Sequence, residues 1–226
     1  MAEPSENSSW SGGRSGALKL AGQRKTKEPC PLCAVSRTLC LCDAVPRIEL
    51  KTKVCLVIHH RELSRNSNTG LLAMRALANA ETRIRGGGRE TLDLRDLLIP
   101  RYRTFLFYPS DDAAELDTAL VAQDQTPIQL IVPDGTWRQA RKISFRQPEI
   151  RDLPRVKIST PNTKTYQLRA QSRPERMATL QAIAYALGII EGAVVRAQLM
   201  KLYQAKVERT LIGRGILRGE QGERQK

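Results

Sequence analysis

No run of about 18 apolar residues occurs in this chain, which excludes a bilayer-spanning helix as its organising element. The first residues, Met-Ala-Glu-Pro-Ser-Glu-Asn-Ser-Ser, have neither the basic start nor the apolar middle of a secretory signal, so a cytoplasmic protein without a membrane partner is expected. Acids are in short supply: 23 Asp and Glu face 37 Lys and Arg, a net charge of +14. With no amphipathic anchor or lipidation signal in view, that excess favours nucleic acid as the polyanionic partner through counterion release. Histidine is reduced to His59 and His60, and neither the H-E-x-x-H nor the H-x-x-E-H spacing of a catalytic zinc site is present. Gly86-Gly87-Gly88 lacks the order of a dinucleotide fingerprint and the Gly-Lys-Ser/Thr ending of a nucleotide-triphosphate loop, so it reads as a flexible loop.

What is present divides the chain of 226 residues into one substantial domain with small appendages. Residues 1–26 are rich in Ser, Gly, Lys and Arg and read as a disordered basic tail. Residues 27–46 carry Cys30, Cys33, Cys40 and Cys42 in the form C-x2-C-x6-C-x-C, a spacing that brings four thiolates together and suits a closed, structural tetrahedral zinc site. Residues 47–212 form the main α/β domain, and residues 213–226 a flexible basic tail. Cys55 stands apart in an apolar strand.

Within the main domain the same unit recurs: apolar strand, polar turn, helix. Val54 to Ile58 reads as a strand that runs into the polar cluster 59–70, with a helix over Leu71 to about Ala80 capped by Asn68 or Thr69. Thr104 to Tyr108 is the next strand, ended by Pro109-Ser110-Asp111-Asp112 and followed by a helix from Ala113 to about Val121. Ile128 to Val132 is another, and Pro133-Asp134-Gly135 turns it into the helix start Thr136-Trp137-Arg138. Arg155 to Ser159 is a plausible last strand, and two amphipathic helices, Met177 to Leu187 and Ile190 to about Ile212, close the chain. Such alternation predicts a mostly parallel sheet with helices on both faces, whose ligands collect at the carboxyl ends of the strands.

Five motifs in one order carry a resemblance. They are the cysteine cluster, His59-x-x-Glu62-x-x-Arg65-x-x-Asn68-Thr69-Gly70, Tyr108-Pro-Ser-Asp-Asp-Ala113, Asp134-x-Thr136-Trp137 and Tyr166-x-Leu168-Arg169. Together they resemble the DTW-domain family of tRNA-uridine aminocarboxypropyltransferases, over roughly residues 28–190. The resemblance implies transfer of the 3-amino-3-carboxypropyl group of S-adenosylmethionine to N3 of a tRNA uridine. It also implies a SPOUT-related sheet with a C-terminal part knotted around the S-adenosylmethionine site. Carried onto this chain, it makes Asp134, Thr136 and Trp137 the catalytic candidates. Val132, Pro133, Gly135, Ser159, Tyr166, Leu168 and Arg169 become the S-adenosylmethionine candidates, and His59, Glu62, Arg65, Asn68, Thr69, Arg138 and Arg141 the tRNA candidates. The expected cofactors are S-adenosylmethionine and structural zinc, and the expected partner is tRNA, bound by a monomer or a homodimer.

The chemistry suits these residue types. A uridine imide must lose its N3 proton as it attacks, and a placed carboxylate assists that transfer. Asp134 either takes this proton or binds the α-amino group of the donor, while Trp137 stacks on a base or shapes the pocket wall. Two alternatives explain part of the same pattern: a SPOUT-like RNA methyltransferase, and a zinc-containing RNA-binding module without catalysis.

Overall fold

The computed structural model describes residues 26–88, 92–158 and 177–217. Its centre is a sheet of six strands: β1 (Lys53–His59), β2 (Ala80–Arg85), β3 (Arg103–Phe107), β4 (Ala114–Glu115), β5 (Ile128–Asp134) and β6 (Arg155–Lys157). They lie in the order β2-β1-β5-β3-β6-β4, and every pairing is parallel. β5 lies between β1 and β3 and is buried at every residue, as a strand covered on both faces must be. Its polar Gln129 is tolerated there because the side-chain amide donates to the Leu97 carbonyl oxygen at 2.8 Å.

The pleat sorts side chains onto two cores. Val54, Leu56 and Ile58 of β1 and Ile128, Leu130 and Val132 of β5 pack with the helices α1 (Gly70–Ala76), α4 (Thr179–Ile190) and α5 (Ala193–Gly213). Cys55, Val57, Leu106 and Ile131 face the other way, against Ala140 and Ile143 of α3 (Trp137–Arg146) and against Leu94, Leu97 and Ile150. Helices therefore cover both faces. The short α2 (Thr118–Ala122) packs on α4. Buried positions of α5 recur at helical spacing, Leu199, Leu202, Tyr203, Lys206, Val207, Thr210 and Leu211.

Four expected boundaries need correction. The helix expected over Leu71 to Ala80 ends at Ala76, and Ala80 begins β2, an edge strand that its alternating charges had disguised. The stretch from Ala113 to Val121 is not one helix: β4 occupies Ala114–Glu115 before α2 starts, with Asp117 as N-cap accepting from the Leu120 N–H at 2.8 Å. β6 stops at Lys157, and α4 runs on to Ile190, past Gly188. Residues 159–176, between β6 and α4 in the C-terminal part expected to be knotted, lie outside the described residues.

Candidate active site

Three segments distant in sequence meet at one carboxylate. Asp134 ends β5, in register with Ile58 of β1, and is 5% exposed. One oxygen, Oδ2, accepts from the Asn68 side-chain amide at 2.6 Å, and Oδ1 accepts from the Thr179 hydroxyl at the start of α4, also at 2.6 Å. Asn68 is held in turn because its own Oδ1 accepts from the Leu71 N–H at 3.1 Å, so its side chain caps α1. Thr69 Oγ1 accepts from the Leu180 N–H at 3.2 Å and ties the same loop to α4. A glycine at 70 is a condition of this arrangement. A Cβ there would lie 3.0 Å from Asp134 Oδ2 and 3.1 Å from a Leu56 methyl, closer than the site can yield without moving the carboxylate.

Beyond Asp134 the chain turns directly into α3. Thr136 is the N-cap: its hydroxyl accepts from the Gln139 N–H at 3.3 Å while Gln139 Oε1 accepts from the Thr136 N–H at 2.7 Å, a reciprocal capping box. Gly135 makes room for it, since a Cβ at that position would fall 2.8 Å from the Gln139 Cβ. Gln139 also reaches back to β1, its Nε2 lying 3.3 Å from His59 Nδ1. His59 Nδ1 accepts from the Arg61 N–H at 3.2 Å, and burial followed by the nearby His60, Arg61 and Arg85 lowers the His59 pKa from 6.5. The ring is thus neutral at physiological pH, with Nδ1 as acceptor.

Trp137 opens α3 and is 42% exposed. Its ring centroid lies 6.4 Å from that of Tyr108, which in turn meets Phe145 edge-on at 6.0 Å. Arg138 and Arg141 are exposed on α3. Glu62 is buried and pairs with the half-exposed Arg65 at 3.2 Å on the polar turn after β1. The expected sites at Val132, Pro133, Gly135, Asp134, Thr136 and Trp137 are contiguous, and Asn68 and Thr69 join them. Ser159, Tyr166, Leu168 and Arg169 lie outside the described residues.

The cysteine cluster is a separate centre. Cys30, Cys33, Cys40 and Cys42 place their sulfur atoms within 4.8 Å of one another, so they can hold a metal ion. Cys30 and Cys42 are 3.7 Å apart, and so are Cys33 and Cys40. The Cys30-Pro-Leu-Cys33 turn closes through the Ala34 N–H, which donates to the Cys30 carbonyl oxygen at 2.8 Å with Ala34 at φ +56°. α5 clamps the segment from below: Lys206, fully buried, donates to the Cys33 carbonyl oxygen at 2.5 Å, and Arg209 donates to that of Cys40 at 2.6 Å.

Comparison with known proteins places the chain. The model of the DTW domain matches residues 27–211. The chain belongs to the DTW-domain family. It is 26% identical over 172 residues to tRNA-uridine aminocarboxypropyltransferase 2 of Macaca fascicularis, covering 74% of this chain and 58% of that protein. The protein of the same name from Mus musculus is 28% identical over 167 residues, covering 72% and 56%, and that of Drosophila melanogaster 27% over 172 residues, covering 73% and 67%. The chain thus spans a little over half the length of the two mammalian relatives. No solved structure matches it. Among the described residues of this DTW-domain protein, no helix is long and apolar enough to cross a membrane.

Two residues of the site escaped the sequence reading. Gln139 was legible in principle, since Thr-x-x-Gln at a helix start is the capping-box signature. Thr179 was not, because nothing local marks a threonine at a helix start as the partner of a carboxylate 45 residues earlier.

Proposed function

We propose that this DTW-domain protein is a tRNA-uridine aminocarboxypropyltransferase that moves the 3-amino-3-carboxypropyl group of S-adenosylmethionine to N3 of a tRNA uridine. The observation that carries the reading is Asp134, a buried carboxylate fixed by Asn68 and Thr179 beside a half-exposed indole. A buried acid, an aromatic face and a helix start fit a donor with an ammonium group and an adenine ring. When bound, S-adenosylmethionine supplies a γ-carbon activated by a sulfonium leaving group, so no metal is needed at the reacting carbon.

The residues supply position and proton transfer. Asp134 takes the N3 proton of the uridine as nitrogen attacks, or else binds the donor ammonium; its fixed oxygens keep lone pairs for either role. Thr136 and Gln139 hold the turn that aims it, and Trp137 offers a face for a base. The same reading extends the candidate donor pocket from Val132, Pro133 and Gly135 to Ser159, Tyr166, Leu168 and Arg169, in a SPOUT-related, knotted C-terminal part. The four cysteines hold structural zinc: a tetrahedron with Zn–S bonds of about 2.3 Å sets sulfur atoms about 3.8 Å apart, close to the two separations of 3.7 Å. Four thiolates leave no open position for catalysis.

Asp134→Asn tests the reading. The Thr179 hydroxyl can donate or accept, so an amide at 134 can keep both contacts, and the fold survives. If Asp134 is the base, single-turnover transfer drops on the order of 10²–10⁴ with donor affinity within a few-fold; if it binds the ammonium, affinity falls instead. Parental values for both would show that Asp134 is structural only. Mass analysis of the modified nucleoside decides between an added aminocarboxypropyl group and an added methyl group.

A further inference from the structure

The outward face of α3 carries more than the resemblance explains. Trp137, Arg138, Arg141, Lys142, Phe145 and Arg146 are exposed, whereas Ala140, Ile143 and Ser144 are buried. Helical spacing arranges the exposed set as two parallel stripes. Trp137, Arg141 and Phe145 stand at i, i+4 and i+8, and Arg138, Lys142 and Arg146 run beside them at the same intervals. The helix contains no acid, and among the described residues Arg138, Lys142 and Arg146 enter no ion pair.

The two rings are braced. Tyr108, 8% exposed, is a wedge between them, with centroids 6.4 Å from Trp137 and 6.0 Å from Phe145. Arg155 lies 4.5 Å over the Phe145 ring and is itself held by Asp112 at 2.9 Å and by the Arg151 carbonyl oxygen at 2.6 Å. Arg141 flanks the same ring at 5.9 Å. Yet Trp137 and Phe145 each remain 42% exposed. Fixed, half-exposed rings interleaved with unpaired cations are the surface that unstacked bases and their phosphates require. A duplex hides the faces of its bases and makes no use of the rings.

We propose that α3 is a guide for single-stranded RNA, with bases next to the target uridine stacked on Trp137 and Phe145 and the phosphates taken by Arg138, Lys142 and Arg146. The proposal rests on the reading of RNA as substrate. Trp137 lies three residues from Asp134 and so receives the target or its neighbour. Phe145 sits about 12 Å further along the helix axis, a span of roughly three to four stacked base steps. The target uridine is therefore expected in an unpaired stretch that continues for several nucleotides on one side.

The test uses the full chain in a Trp10→Phe background, so that Trp137 is the single indole, with octauridylate and a blunt RNA duplex as probes. Octauridylate should quench Trp137 and bind more tightly than the duplex. Phe145→Ala should weaken its binding on the order of 5- to 100-fold, and Phe145→Trp should restore it. Replacing Arg138, Lys142 and Arg146 together by Ala should make the slope of log affinity against log salt shallower by about 2. Lys51→Ala and Lys201→Ala, exposed cations outside α3, should leave binding as it was. Thermal unfolding of each variant shows that it is folded. Parental affinity in both the Phe145→Ala and the triple variant, or equal losses in the two lysine controls, overturns the guide. Nucleoside analysis of tRNA treated with the parent separates the two readings. Stripe-dependent binding without any transferred group sinks the transferase and leaves the guide standing; transfer with stripe-independent binding does the reverse.

Discussion

His59 shows how one side chain joins the site to its pH response. Its Nδ1 accepts from the Arg61 N–H and faces Gln139 Nε2 at 3.3 Å, contacts that a protonated ring cannot accept. Burial, then His60, Arg61 and Arg85, lower its pKa in the folded state, so the unfolded chain binds the proton more readily. The stability tied to this ring is thus fully present above the ordinary histidine value of 6.5 and is lost as pH falls through the lowered folded value. Urea midpoints measured between pH 7 and pH 5 should decline, and His59→Asn, which keeps an acceptor oxygen and removes the titration, should flatten the decline. At this scale the sequence was informative where chemistry is local. Asp134 stood out because strand, turn and helix start are consecutive, and Asn68 because it precedes a helix. That Asn68 and Asp134 touch was not readable, since 66 residues separate them and only the pairing of β1 with β5 brings them together.

Among the elements, α3 carries the most candidate site residues for its length. Thr136 and Gln139 satisfy each other's backbone N–H, so Thr136→Ala should cost about 1 kcal/mol of stability, and Gln139→Ala a similar amount. The double variant should lose less than the sum, because each half of the box needs the other, and urea titration of the four proteins completes the cycle. Strict additivity would mean that the two contacts are independent. The central strands β1, β3 and β5 were legible as apolar runs, because a parallel strand covered on both faces has no polar side to alternate. β2 was not legible. Among the described residues it pairs only with β1, and its Glu81, Arg83 and Arg85 protect a sheet edge with charge, which reads as a helix tail or loop. β4, at Ala114–Glu115, is too short to have a period at all.

At the scale of the whole molecule, the cysteine segment is fastened by Lys206 and Arg209 on its carbonyl oxygens, and its four sulfur atoms are placed where they can hold a metal ion, proposed above to be zinc. Elemental analysis should find one zinc per chain. Chelation, or Cys40→Ser, should release the segment, lower the unfolding temperature by several degrees and open the clustered thiols to alkylation. Cys55 should stay unreacted until global unfolding, because burial in β1 pushes its thiol up to about 12. A metal-free protein with parental unfolding temperature and unreactive thiols would refute the assignment. Asp134 has one more consequence, for time rather than for energy. Two of its donors, Asn68 and Thr179, come from 66 residues earlier and 45 residues later, so during synthesis β5 emerges before the Thr179 donor of α4 has been made. Contacts of such long range form late, after loop closure, in a sheet whose every pairing is non-local. A chain that ends before α4 lacks the Thr179 contact, so the chemistry proposed for Asp134 is expected only once α4 has been made, and shorter nascent chains should stay chemically silent.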